Sequence, residues 1–130
     1  MIPKIIHYCW FGDPEKLKTD KRSQACIESW KKYLPDYELK LWNEENFDVN
    51  MCDFTKQAYE KGQYAFVSDV ARLYALYTEG GVYMDTDVEV YKHLDEFLSD
   101  ECFTGFEETN FPVCATMRSR KGKSNNKAYA

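Results

Sequence analysis

Histidine, proline and glycine are all scarce in this 130-residue chain, with 2, 4 and 6 copies. The two histidines, His7 and His93, are too few and too scattered to imply a metal site. His7 lies in an apolar, strand-like run and reads as a satisfied core histidine. Five cysteines stand at positions 9, 26, 52, 102 and 114. Their number is odd and none forms a Cys-x-x-Cys pair, which argues against a disulfide framework and against a zinc ribbon. No apolar run is long enough for a membrane span, and no signal-peptide pattern is visible. A reduced cytoplasmic compartment is therefore expected.

Basic charge is short as well. Seventeen Lys and Arg face 22 Asp and Glu, for a net charge of −5. Five of the basic residues, and no acid, fall in residues 118–130, so the body of the chain is more acidic than the total. An acidic body argues against nucleic acid as the main partner. What the chain has in quantity is aromatic residues, at 16% of the total with 10 Tyr and 3 Trp. Most of these are expected in the core of one domain.

The pattern along the chain alternates between strand and helix. Residues 3–9 are apolar and β-rich, a buried first strand that Gly12-Asp13-Pro14 breaks. Helix spacing follows over 19–33, stopped by Pro35. A second strand is expected over 38–42, a short helix over 53–61, a longer helix over 67–79 with Ser68 as N-cap, and a strand over 82–85. A helical turn at 94–98 and a strand at 102–106 complete the series. Strand, helix, strand, helix, strand predicts an α/β domain with a mostly parallel sheet. Ligands of such sheets sit outside the carboxyl ends of the strands. Trp10-Phe11-Gly12 and Asp85-Thr86-Asp87 both end strands, so they should meet at one rim. Residues 1–117 are expected to form the domain, and 118–130 a basic, mobile tail.

Residues 79–90, Glu-Gly-Gly-Val-Tyr-Met-Asp-Thr-Asp-Val-Glu-Val, carry the most information. Asp85 and Asp87 are two apart at the end of a short apolar run. In a strand such residues point to the same side. Two like charges that close raise each other's pKa unless a cation or strong donors share the site. A hard divalent ion resolves the conflict, and such ions keep waters and substrate phosphates in their shell. The stretch therefore reads as a site for a metal-bound phosphate ester. The bland alternative is a solvated polar turn. Just upstream, Asp69 and Arg72 are three apart on one helical face, where an exposed pair alone would contribute only a few tenths of a kcal/mol. Tyr83 is expected on the side opposite the acids, in the core.

Ser68-Asp69-x-x-Arg72 followed by Gly80-Gly81-Val82-Tyr83-Met84-Asp85-Thr86-Asp87 resembles the DXD region of sugar-nucleotide glycosyltransferases, and of glycosyltransferase family 32 in particular. That family includes capsular-polysaccharide and yeast-type mannosyl transferases, and the clostridial glucosylating toxins are similar at the same motif. The opening Ile2-Pro3-Lys4-Ile5-Ile6-His7-Tyr8-Cys9-Trp10-Phe11-Gly12 is similar to the family's first strand. Ser29-Trp30, Pro35-Asp36-Tyr37 and Leu41-Trp42 also fall where the family has them. A lone DXD is a weak signal; this ordered set over residues 1–108 is a specific one.

The resemblance implies the Rossmann-like, nucleotide-binding half of a GT-A fold. It implies a Mn²⁺ or Mg²⁺ ion and a nucleotide-sugar donor, a UDP- or GDP-sugar. Asp87 would ligate the metal directly. Asp85 would contact the ribose and reach the metal through water. Ser68, Asp69 and Arg72 would hold the donor, Asp69 and Arg72 at the sugar hydroxyls and Arg72 near the phosphates. Trp10 would stack on the base. The acceptor would be a saccharide or lipid-linked saccharide in surface polysaccharide (capsule) synthesis, with the anomeric configuration retained. No carboxylate nucleophile for a two-step route stands out in the sequence. Family members usually run well past 200 residues, so the chain reads as the donor-binding, N-terminal half. An open acceptor side is expected to favour self-association around residues 106–117. The basic tail could touch a membrane surface, although five charges without an apolar face more often form a solvated end.

Two other functions compete. Val82-Tyr83-Met84-Asp85-Thr86-Asp87-Val88 is also similar to the first motif of haloacid-dehalogenase phosphatases, where Asp85 would be the nucleophile and Asp87 the general acid-base. That motif normally opens the chain and needs a larger core behind it. The other alternative is a non-catalytic module that binds sugar nucleotides without transfer.

Overall fold

The computed structural model describes residues 2–91, and beyond them the backbone of two strands at 102–106 and 112–119. Strand β1 (Ile5–Cys9) leads into the short helix α1 (Pro14–Thr19) and the longer α2 (Lys21–Tyr33). Strand β2 (Glu38–Trp42) follows, then α3 (Asp53–Glu60), α4 (Tyr64–Glu79) and β3 (Gly81–Met84). Strands β4 (Cys102–Phe106) and β5 (Pro112–Ser119) close the series. The sheet order is β2-β1-β3-β5-β4. Strands β2, β1 and β3 are parallel, while β5 is antiparallel to both β3 and β4. The expected α/β domain is present, its parallel half extended by an antiparallel pair. The helical turn expected at 94–98 lies outside the described residues, as does the expected tail beyond Ser119. Strand β5 runs through Met117 to Ser119, pairing Arg118 with Val82 and Ser119 with Gly81.

Local chemistry sets the helix ends. The Asp13 carboxylate accepts from the Glu15 N–H and caps α1, whose first residue is Pro14. The Asp20 carboxylate accepts from the Arg22 N–H and caps α2. Helix α4 starts at Tyr64, four residues before the expected Ser68 cap, and its own cap Gln63 makes no side-chain bond. Packing extends it: the Tyr64 ring meets Tyr59 at a tilt, and Phe66 meets Phe54, both partners on α3. Ser68 therefore lies inside the helix and caps nothing. No helix among the described residues is long and apolar enough to cross a membrane.

The sheet is covered on both faces. One cluster joins Ile6, Val82 and Met84 to Leu17, Ile27, Trp30 and Leu34 of α1, α2 and the turn after them. The other joins Cys9, Trp42 and Tyr83 to Val67, Ala71, Ala75 and Leu76 of α4. Alternation along β3 explains the split: Val82 and Met84 face α2, and Tyr83 faces α4. The chain passes from β1 to β2 on one side and returns to β3 on the other. The strand order thus reverses between β1 and β3, which opens a crevice at their carboxyl ends.

The α4-to-β3 junction is unusually close. Gly80 and Gly81 have φ of 70° and 109°. A Cβ on Gly81 would lie 2.7 Å from the Ile5 carbonyl oxygen and 3.1 Å from His7 Nε2. His7, fully buried, spans this junction: its Nε2 is 2.7 Å from the Gly80 carbonyl and its Nδ1 is 3.0 Å from Trp42 Nε1. A carbonyl only accepts and an indole N–H only donates, so Nε2 carries the proton and Nδ1 accepts. Burial lowers the His7 pKa, in keeping with that neutral form. His7 is the satisfied core histidine expected from the sequence.

Gly81→Ala should therefore cost at least ~2 kcal/mol, from left-handed backbone (~1–2) and overpacking (~1–3). Gly62, also at positive φ (73°), has nothing within 4 Å of its Cβ position. Gly62→Ala should lose only the backbone part, about 1–2 kcal/mol. Urea unfolding of the two variants checks this, and equal losses would contradict the close approach.

Candidate functional site

The carboxyl ends of β1 and β3 open into a cavity of about 480 Å³. Its lining includes Trp10 after β1, Ser68, Asp69 and Arg72 from α4, and Asp85 and Asp87 after β3. All six residues singled out from the sequence are thus brought to one place. Their relation differs from the expectation in one respect. Strand β3 stops at Met84, and Asp85 to Val88 forms a turn closed by the Val88 N–H on the Asp85 carbonyl at 3.0 Å. The acids reach the cavity through that turn rather than as alternate residues of a strand. Asp85 is half-buried, and Asp87 is exposed.

Arg72 organises the centre. It is only 6% exposed, and its guanidinium lies over the Tyr83 ring, 4.5 Å from the centroid. One terminal nitrogen, Nη2, is 3.2 Å from Asp69 Oδ1 and 3.2 Å from Asp85 Oδ1. The Asp69–Arg72 pair is therefore no isolated surface pair. It is part of a buried cation shared by two carboxylates, and losing the cation would leave charge without compensation.

Tyr83 was expected away from the acids, and the structure corrects this. Residues 83 and 85 are themselves two apart, so they share a side as long as the chain stays extended. Tyr83 is 1% exposed yet donates its hydroxyl to Asp85 Oδ1 at 2.8 Å and lines the cavity. The same period-two spacing that pairs Asp85 with Asp87 could have found it. Burial raises the Asp85 pKa most; Arg72 and then the Tyr83 hydroxyl pull it down, and Asp87 and Asp69 push it up. A cation beside Asp85 would favour its ionised form.

Other residues hold the walls. Helix α2 grips the segment after the acids: Trp30 Nε1 donates to the Val88 carbonyl at 2.8 Å, and the Val90 N–H donates to Ser29 Oγ at 2.9 Å. Ser29 and Trp30 thus position the acidic turn, a role their helix spacing did not reveal. Glu44 accepts from the Gly12 N–H at 2.8 Å and from the Tyr59 hydroxyl at 2.9 Å, fixing the loop after β1. In that loop the Trp10 indole N–H donates to the Asp13 carbonyl at 2.9 Å. Cys9 also lines the cavity, but burial pushes its thiol up to about 12, so it stays protonated and is a poor nucleophile.

Among the described residues no group of three or more His, Cys, Asp or Glu forms a ready-made metal cage. The donors present suit a different kind of ion. Asp87 makes no hydrogen bond or ion pair among the described residues, and Asp85 has only Oδ1 engaged. One or two carboxylates completed by water and substrate phosphates is the donor set that Mg²⁺-like cations accept.

Tyr83→Phe removes the phenol that lowers the Asp85 pKa. Carbon-13 titration of the Asp85 carboxyl should show its midpoint, already raised from the ordinary Asp value by burial, moving further up. The variant should lose about 1 kcal/mol of stability. An unchanged or lower midpoint would contradict the hydrogen bond.

Comparison with known proteins gives a consistent picture. Residues 20–104 match the family model described as "Glycosyltransferase sugar-binding region containing DXD motif". The chain is 31% identical over 129 residues to inositol phosphoceramide mannosyltransferase 3 of Schizosaccharomyces pombe, covering 96% of this chain and 32% of that protein. It is 32% identical over 111 residues to mannosyl phosphorylinositol ceramide synthase CSH1 of Saccharomyces cerevisiae, covering 79% of this chain and 27% of that one. The chain thus spans about a third or less of the length of these relatives. The solved structure of PaToxG glycosyltransferase superposes with a TM-score of 0.68 at 20% identity, over 93% of this chain and 55% of that one, and so shares its fold. The phosphatase alternative places its acids on an opening strand, whereas Asp85 follows the third strand in the chain. The match runs from the α2 cap at Asp20 through the acidic turn to β4, and by it the chain belongs to the DXD-containing glycosyltransferase family.

Proposed function

We propose that this domain binds a nucleotide-diphospho-sugar with a divalent cation and transfers the sugar to a saccharide or lipid-linked saccharide, with retention of configuration. The observation that carries the reading is the convergence of Trp10, Asp69, Arg72, Asp85 and Asp87 on one cavity at the ends of β1 and β3. Asp87 would hold the ion directly, and Asp85 would contact the ribose and reach the ion through water. Mn²⁺ or Mg²⁺, when bound, supplies Lewis-acid stabilisation of the departing diphosphate. Asp69 and Arg72, fixed to each other, would bind hydroxyls of the donor sugar, with Ser68 beside them. Trp10 would stack on the base. A hexose is the proposed sugar, and mannose is the one that both yeast relatives are named for. A UDP- or GDP-sugar is the proposed donor. Those names also point to a phosphoinositol-bearing lipid as one acceptor class, beside a surface polysaccharide.

Calorimetry with a nucleoside diphosphate tests the metal. Binding should require Mn²⁺ and vanish in EDTA. Asp87→Ala should weaken metal binding by at least the roughly 10- to 100-fold typical of losing an outer-shell partner. Equal affinity in Mn²⁺ and EDTA would rule the metal role out.

Tryptophan fluorescence tests the base contact. Stacking on an indole contributes about 1–3 kcal/mol. Nucleotide should quench part of the emission, and Trp10→Ala should abolish that part. Quenching that survives the substitution would point to Trp30 or Trp42 instead, both buried in the core.

A further inference from the structure

Among the described residues Arg22 is the less engaged of the two arginines at the cavity. The cavity is lined by Asp20, Asp69, Asp85 and Asp87 on the acidic side and by Arg22 and Arg72 on the basic side. Asp20 is committed to the start of α2, accepting from the Arg22 N–H at 3.3 Å and from the Ser23 hydroxyl at 2.6 Å. Arg72 is committed to Asp69 and Asp85. The Arg22 guanidinium is exposed, and no ion pair or side-chain hydrogen bond engages it among the described residues.

The charge balance calls for such a group. Setting Asp20, Asp69, Asp85 and Asp87 against Arg72 leaves three negative charges. A divalent ion cancels two of those and leaves nothing for a diphosphate. A further cation at the same cavity would offset part of that remaining charge.

Arg22 is also placed for it. Arg22, Cys26 and Ser29–Trp30 are four, three and four apart, so they share one face of α2. That face holds the segment after the acids at Val88 and Val90. Arg22 stands about two turns nearer the helix N-terminus, where the backbone dipole is positive as well. Burial and then Glu89 raise the Cys26 pKa; Arg22 opposes them and Asp87 adds to them, so both charges act on the same sulfur.

The geometry points to Arg22 as a phosphate contact of this site, its guanidinium taking phosphoryl oxygens from the α2 wall while Arg72 stays with Asp69 and Asp85. A guanidinium offers a phosphate two parallel donors, which a lysine does not. The inference rests on the proposed function and adds a residue to it. The phosphate is either the donor's diphosphate or a phosphate carried by the acceptor, since both present the same oxygens.

Calorimetry in Mn²⁺ compares the 130-residue chain with Arg22→Gln and Arg22→Lys. The donor-side probes are GDP and UDP, and the acceptor-side probe is inositol 1-phosphate. Arg22→Gln should weaken a phosphate-bearing probe about tenfold or more, the scale of a hydrogen bond to a charged group, with Arg22→Lys in between. Thermal melts should be unchanged, because the side chain is exposed. Weakening of the nucleoside diphosphate assigns the donor phosphate, and weakening of inositol 1-phosphate assigns the acceptor phosphate. Wild-type affinity of the Gln variant for every probe that the wild type binds overturns the role of Arg22 and leaves the proposed function standing. A wild-type chain that binds neither nucleotide in Mn²⁺ overturns both.

Discussion

The contact between His7 and the Gly80 carbonyl, at 2.7 Å, is the constraint on which the site depends. It fixes where α4 ends and β3 begins. Only glycine fits at position 81, because a Cβ there would lie 2.7 Å from the Ile5 carbonyl oxygen. The same imidazole accepts from Trp42 at the end of β2. One buried side chain thereby locks the three parallel strands in register, with no charge of its own. Lys40 reinforces the junction from outside, bonded to Glu79 at 2.6 Å and lying 4.6 Å over the Trp42 ring. With the junction fixed, Arg72 on α4 is held 3.2 Å from both Asp69 on the same helix and Asp85 after β3.

That closeness decides the electrostatics. A carboxylate carried toward the interior is penalised by burial, and the Asp85 pKa rises accordingly. Arg72 and Tyr83 hold one of its oxygens and oppose the rise. Asp87 is left outside this network, exposed and available. The outcome is one acid engaged by the protein and one unengaged at the same cavity, which is the asymmetry a metal-bridged diphosphate would use. Helix α2 completes the frame from the other face of the sheet, through the Trp30 and Ser29 bonds to the segment that carries the acids onward.

Much of this was legible in the sequence, for physical reasons. The six candidate residues converge because each stands at the end of a strand or on one turn of a helix, where spacing translates into direction. Strand Cys102–Phe106 was visible as a short β-rich run between turn signals. Strand β5 was not, because its pairing with β3 and β4 is tertiary and its end overlaps the basic stretch that starts at Arg118. The early start of α4 was missed because tilted ring contacts of Tyr64 and Phe66 with α3, rather than a capping side chain, extend it. Tyr83 was misplaced although the period-two rule applied to it as it did to the acids. The clamp of Ser29 and Trp30 on Val88 and Val90 joins residues some sixty positions apart, and no local pattern encodes it.

The central claim is that the cavity between β1 and β3 is a metal-assisted site for a sugar nucleotide. Thermal unfolding of the chain with UDP- and GDP-hexoses, each with Mn²⁺ and with EDTA, tests it most directly. A ligand at a hundred times its Kd adds about 2.7 kcal/mol to the stability of the folded state. The account predicts a gain of that order for at least one sugar nucleotide, present with Mn²⁺ and absent with EDTA. No gain with any of them, or the same gain in EDTA, would contradict it.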